Sequence, residues 1–138
     1  MRIIENVLKS DEFKFLFESV GWSSPSLSQI DVSLNNSLVV FSLYKDDKLA
    51  GMARLLGDKG MSYFIKDFVI HPNYQGQGLG RRLMDHINQY ILNQIEENWA
   101  VCVELVSAKG KEAFYKKLGF TSLPNDFSDS GMRKMIRK

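Results

Sequence analysis

Between Gln75 and Arg82 the chain reads QGQGLGRR, with glycine at the alternate positions 76, 78 and 80 and only Gln77 and Leu79 between them. Glycine is used where the backbone needs dihedrals that side chains oppose, or where another group must come within touching distance of the main chain. Directly behind this loop, Leu79, Leu83, Ile87, Ile91 and Ile95 recur four residues apart, the spacing of a helix with one apolar stripe. A helix start preceded by bare glycines offers several N–H groups without partners, together with the positive end of the helix dipole. The chemistry implied is anion binding, and phosphate is the usual occupant. Two other phosphate loops fail on spacing. A Walker loop ends in Gly-Lys followed by Ser or Thr, and a dinucleotide fingerprint begun at Gly76 requires glycine where Arg81 stands.

Such a loop needs a strand to deliver it. Phe64, Ile65, Phe68, Val69 and Ile70 form a mostly apolar, β-branched and aromatic run, and Pro72 stops it because proline cannot donate to a strand ladder. Upstream, Leu38 to Tyr44 and Lys48 to Leu56 read as two strands joined at Asp46-Asp47, a hairpin, and Gly57 to Gly60 turns the chain into the strand that feeds the loop. A first strand is expected over Met1 to Val7. A helix follows over Asp11 to Val20, with Ser10 as its cap, Gly21 as its stop and Phe13, Leu16, Phe17 and Val20 on one face. Ser26 and Gln29 have capping-box spacing ahead of Leu27, Ile30 and Leu34, which predicts a second helix. Trp22, between the two, reads as a core plug. Downstream of the loop the helix is expected to reach about Glu97. Ala100 to Val106 is then the next strand, parallel to the strand before the loop because a helix-length crossover separates them. Gly110 to Leu118 reads as a short helix ended by Gly119, and Phe120 to Arg137 has room for a closing hairpin.

Composition narrows the class. At 138 residues the chain has the length of a single domain, here taken as residues 1–138. Hydrophobic content of 44% and charged content of 25% are ordinary for a globular protein. A formal charge of +2 does not argue for a nucleic-acid or membrane partner, and the basic run Met132 to Lys138 reads as a solvated tail. Charges at Arg2, Glu5 and Lys9 precede any apolar stretch long enough for a signal peptide, so a cytoplasmic protein is expected. The single Cys102 lies in the apolar run VCVELV and is expected to be a buried, inert thiol.

Gln75-Gly76-Gln77-Gly78-Leu79-Gly80, after a strand ending Val-Ile-His-Pro, resembles the pyrophosphate-binding signature of the GNAT family of N-acetyltransferases, written Q/R-x-x-G-x-G/A. Ala113 to Phe120, AFYKKLGF, looks like that family's motif B, a short tyrosine-bearing helix ending in Leu-Gly-Phe. Within the family, GWSSPSL, KLAGMARLLGD and IKDFVIHPNYQGQGLG are most similar to a branch that includes plant chloroplast enzymes acetylating serotonin and protein lysines. The resemblance implies an acyl-CoA N-acyltransferase fold. That is a mixed, mostly antiparallel sheet of about six or seven strands, helices on both faces, splayed between the fourth and fifth strands.

It also implies an activity: transfer of the acetyl group of acetyl-CoA to a primary amine by direct attack in a ternary complex, without a metal. The acceptor would be a small molecule, or a lysine or N-terminal amine of a protein. The enzyme would be a monomer or a homodimer. The amides of Gln75, Gly76, Gln77, Gly78, Leu79, Gly80 and Arg81 would hold the pyrophosphate. The backbones of Phe68 and Ile70 would pair with the pantetheine arm. Tyr115 matches the family's general acid, since a phenol stays protonated at neutral pH and can deliver a proton to a departing thiolate. The base is open: several relatives carry a glutamate where Lys66 stands here, which leaves Asp67, Glu104 or a water chain. Asp67 is expected on the strand face opposite Lys66, and Glu104 is an acid within an apolar strand. The family's cofactor-touching asparagine is replaced near Ala108. A domain that binds acetyl-CoA without catalysis is the alternative, and it would have no use for Tyr115 as a proton donor.

Overall fold

A computed structural model describes residues 1–138. The chain divides into two compact units, Met1–Leu105 and Val106–Lys138. The first holds β1 (Arg2–Glu5), α1 (Ser10–Ser19), α2 (Leu27–Asn35), β2 (Val39–Lys45), β3 (Lys48–Gly57), β4 (Ser62–Ile70), α3 (Leu79–Gln94) and β5 (Cys102–Leu105). Its strands lie in the order β1-β2-β3-β4-β5. Neighbours are antiparallel except for β4 and β5, which are parallel as the crossover through α3 requires. The β2–β3 hairpin turns at Asp46 and Asp47, both with positive φ (50° and 60°), the conformation that suits the twist of a two-residue hairpin.

Apolar residues on the two sheet faces meet different helices. Val40, Met52 and Val69 pack with Leu8, Phe13, Leu16 and Ile30, joining the sheet to α1 and α2. Trp22 plugs this layer at its margin, edge-on to Phe17 at 5.0 Å. On the other face Phe41 meets His86 and Tyr90 of α3 edge-on at 5.5 and 5.6 Å. The stripe of α3 is buried at Leu79, Leu83, Met84, Ile87 and Ile91. Ser26 caps α2 by accepting from the Gln29 N–H at 3.2 Å. At α1 the cap lies one residue earlier than expected: Ser10 is helical, and the Glu12 carboxylate accepts from the Lys9 N–H at 3.0 Å. No helix is long and apolar enough to cross a membrane.

The sheet has five strands rather than six or seven. In the second unit only α4 (Glu112–Lys117) is regular, and the expected closing hairpin over Phe120 to Arg137 does not form. The sequence there supplies room but not a strand pattern: Met132, Met135 and Ile136 are spaced three and one apart instead of two. Asn125 also diverts backbone donors, its side chain accepting from the Phe127 and Ser128 amides, both at 2.9 Å. Helix α3 stops at Gln94, short of Glu97. Acids at positions 96 and 97 would meet the negative end of the dipole, and Asn98 takes a left-handed φ of 68°. Cys102 is exposed, not buried. Its strand is a four-residue edge whose alternate residues Cys102 and Glu104 share the open face. Burial in part, with the Glu104 charge beside it, still pushes the thiol pKa up.

Candidate functional site

The site begins at an irregularity in β4. Met52 pairs with Val69 and Arg54 with Lys66, so Asp67 and Phe68 together oppose the single residue Ala53. This is a β-bulge, and Asp67 takes the left-handed φ of 52° that such a bulge uses. Strict alternation fails there. The Asp67 carboxylate does not point away from Lys66 as expected; it reaches Arg54, the cross-strand partner of Lys66, whose Nε donates to its Oδ2 at 2.6 Å. Lys66 itself lies over the Phe64 ring at 5.9 Å.

Four residues of β4 pair with β5, from Ser62↔Cys102 to Ile65↔Leu105, and there the parallel ladder ends while β4 runs on to Ile70. The ladder stops there because β5 itself ends at Leu105, so β4 is the longer strand of the pair. Phe68 and Ile70 lie in the stretch beyond the ladder's end. The Ile70 carbonyl accepts from Gln75 Nε2 at 2.8 Å, which folds the loop back on its own strand.

The loop opens with a short 3-10 turn, Pro72 to Tyr74, fixed by His71, whose Nδ1 accepts from the Asn73 N–H at 3.2 Å. Phe15 of α1 stacks on the His71 ring at 5.3 Å. Gly76 and Gly78 then take φ of 75° and 77°, and a side chain at either would have open space, so dihedral freedom alone explains them. Gly78 is the N-cap of α3. The first bond of that helix runs from the Arg82 N–H to the Gly78 carbonyl at 3.2 Å, which leaves the N–H groups of Leu79, Gly80 and Arg81 ahead of it without an intrahelical acceptor. Their direction and the helix dipole suit an anion. One cation was not foreseen: Lys45 Nζ, at the end of β2, donates to Gln77 Oε1. Only the hairpin's packing against the loop brings position 45 there, and sequence spacing carries no such signal.

In the second unit Tyr115 lies on α4, 8% exposed, with its ring edge-on to Phe114 at 5.1 Å and to Phe120 at 5.9 Å. Burial pushes its pKa up to about 12, so the phenol is firmly protonated at neutral pH. Glu104 lies exposed on β5.

A mixed sheet whose fourth strand outruns its parallel neighbour and feeds a glycine turn and a helix N-terminus defines an α/β protein with an anion-suited helix start at the end of that strand. Residues 36–122 match the acetyltransferase (GNAT) domain family, and the chain belongs to that family. It is 35% identical over 118 residues, 83% of this chain and 66% of the relative, to the uncharacterized N-acetyltransferase ycf52 of Pyropia yezoensis. It is 29% identical over 129 residues, 79% of this chain and 48% of the relative, to GCN5-related N-acetyltransferase 2, chloroplastic, of Arabidopsis thaliana. The chain thus spans no more than about two thirds of the length of these curated relatives. A crystal structure from meticillin-resistant Staphylococcus aureus, described as a protein of unknown function and probable acetyltransferase, superposes with a TM-score of 0.85 at 30% identity and covers 98% of both chains.

Proposed function

We propose that this chain is an acetyl-CoA-dependent N-acetyltransferase that moves the acetyl group to a primary amine by direct attack in a ternary complex. The observation that carries the reading is the junction of β4 with α3: a strand that outruns its parallel neighbour after Ile65, then a left-handed Gly78 cap ahead of three amides without an intrahelical acceptor. The Gln75 N–H is taken by the Pro72 carbonyl at 3.3 Å, so the amides from Gly76 to Arg81 hold the pyrophosphate, and the backbones of Phe68 and Ile70 receive the pantetheine arm as an added strand would. A main-chain amide of this edge polarises the thioester carbonyl.

The amine nitrogen attacks the carbonyl carbon, the C–S bond breaks, and the thiolate takes the phenolic proton of Tyr115. The proton released by the attacking amine passes to a base. Glu104, exposed to solvent on β5, fits transfer through water better than Asp67, whose oxygen is engaged by Arg54. The acceptor is a small-molecule amine or a lysine or N-terminal amine of a protein, taken by a monomer or homodimer in which residues 1–138 act as one domain. The chloroplastic relatives favour a plastid over the expected cytoplasmic location.

Free thiol release from acetyl-CoA, measured against arylalkylamines, polyamines and lysine peptides, tests the reading. Acceptor-dependent release is expected. Tight acetyl-CoA binding with no acceptor-stimulated release would favour a non-catalytic sensor, and absence of binding would remove the phosphate-loop argument.

A further inference from the structure

Arg54 and Asp67 are the one close ion pair held largely out of water in the chain, with side chains 14% and 12% exposed. Charges this sheltered persist only when paired. The contact is short, 2.6 Å, and lies at the bulge itself. The guanidinium also reaches outward: Arg54 Nη1 donates to Ser37 Oγ at 3.2 Å, and that hydroxyl donates to the Ser33 carbonyl of α2 at 2.7 Å. A continuous chain of polar contacts therefore runs from the last turn of α2, across β3, to the residue with left-handed backbone in β4.

We propose that Arg54, Asp67 and Ser37 form a bracket that fixes the β4 bulge, making Asp67 a positioning residue for the acetyl donor instead of a base. The inference rests on the acetyl-donor reading above. A bulge gives up regular pairing locally, and the direction of the side chains and amides that follow depends on how the extra residue is held. Here the ladder resumes at Val69 and Ile70, opposite Met52 and Gly51. Buried Met52, Val69, Leu55 and Ile65 set the register on either side, and the Arg54–Asp67 contact replaces the missing pairing between them and holds the extra residue in one conformation. Phe68 and Ile70, the residues offered to the pantetheine arm, follow directly. The helix-start amides are set independently, by the dihedrals of Gly76 and Gly78. Loosening the bracket should therefore affect the arm and spare the phosphates.

Two ligands separate these parts: acetyl-CoA, and adenosine 3′,5′-bisphosphate, which carries phosphates but no pantetheine. The double variant Arg54→Met with Asp67→Gly removes both charges together and puts glycine at the positive φ, so it leaves no buried ion and keeps its fold. By calorimetry it should bind acetyl-CoA about tenfold more weakly, the equivalent of losing one or two main-chain hydrogen bonds. Its affinity for the bisphosphate should stay within about twofold of the original. Asp67→Asn, which tolerates the left-handed backbone and still accepts from Arg54 Nε, should recover acetyl-CoA affinity to within about threefold. Equal affinities for acetyl-CoA in the double variant and the original protein would overturn the bracket, and so would parallel loss of both ligands, which marks a merely structural pair. If the original protein binds the bisphosphate but not acetyl-CoA, the donor reading fails and this inference falls with it.

Discussion

Substituting alanine at Gly78, and alanine or leucine at Gly80, distinguishes a glycine that shapes the turn from a position that must stay small for a ligand. At Gly78 a methyl meets nothing within 4 Å, so the whole cost comes from φ of 77°. Holding an L-residue in that region costs about 1–2 kcal/mol. For a chain of this size that corresponds to a fall in Tm of roughly 4–8 °C. Gly80 lies inside α3 and is absent from the positive-φ positions. Alanine is the better helix former there by about 0.5–1 kcal/mol, so Gly80→Ala should leave Tm unchanged or raise it. A longer side chain there, however, leans toward the helix N-terminus, where the phosphate is expected. Thermal melts combined with calorimetric titration of acetyl-CoA give both quantities. The expected pattern is a less stable Gly78→Ala, a Gly80→Ala of at least equal stability that still binds acetyl-CoA because the signature admits alanine at that position, and a Gly80→Leu whose acetyl-CoA affinity falls by about tenfold or more, the loss of roughly 1.4 kcal/mol. Undiminished affinity in Gly80→Leu would refute the placement of phosphate at this helix start.

Three further outcomes follow from single groups. Tyr115→Phe should lower acceptor-dependent thiol release by about 10²–10⁴-fold while leaving acetyl-CoA affinity unchanged, as expected for loss of a general acid; a loss of less than threefold would assign that proton to another donor. Because the folded pKa of Tyr115 is raised to about 12 from 10.0, its contribution to stability is complete below pH 10 and disappears as pH rises toward 12. The difference amounts to about 3 kcal/mol, and urea unfolding at pH 8 and pH 11 should show a smaller alkaline loss in Tyr115→Phe than in the original chain. Asp58 accepts from the amides of Ser62, Gly60 and Met61, which hold its pKa below 3.8. Its support of the β3–β4 turn should therefore persist above that value and be lost as pH falls through the lower, folded one; carbon-detected titration of its carboxyl should show a midpoint below that of a free aspartate.

Where one residue type dictates one local geometry, the sequence was legible. Alternate glycines before a four-residue apolar repeat announced the turn and α3; the Asp46-Asp47 pair announced the hairpin; Ser26 with Gln29 announced α2. Proline at 72 ended β4 close to where the ladder ends. What was not legible depends on partners distant in sequence. Asp67 looked like any acid on an alternating strand, and nothing near it reveals that Ala53 would face two residues. Arg54 stands within KLAGMARLLGD and Lys45 just ahead of it, but neither had a role legible from spacing, since each acquires it from strand pairing. Cys102 was misjudged because an apolar run says nothing of whether its strand lies in the middle of a sheet or at its edge. The closing hairpin was inferred from space available, and the spacing of Met132, Met135 and Ile136 already spoke against it.

The sheet's strand order equals its order of synthesis. Each strand from β2 to β4 pairs with the one made just before it, so the antiparallel part can assemble as the chain emerges, without waiting for distant segments. Only β5 must wait, until the sixteen residues of α3 have been made and carried across the sheet. The surface on which the carrier's arm is expected to lie is thus completed last, and a nascent chain that has emerged from the ribosome only as far as Ala100 would already hold β1 to β4 and the glycine turn. A translational pause that leaves α3 outside the ribosome and β5 still in the exit tunnel would lengthen the life of that four-stranded intermediate.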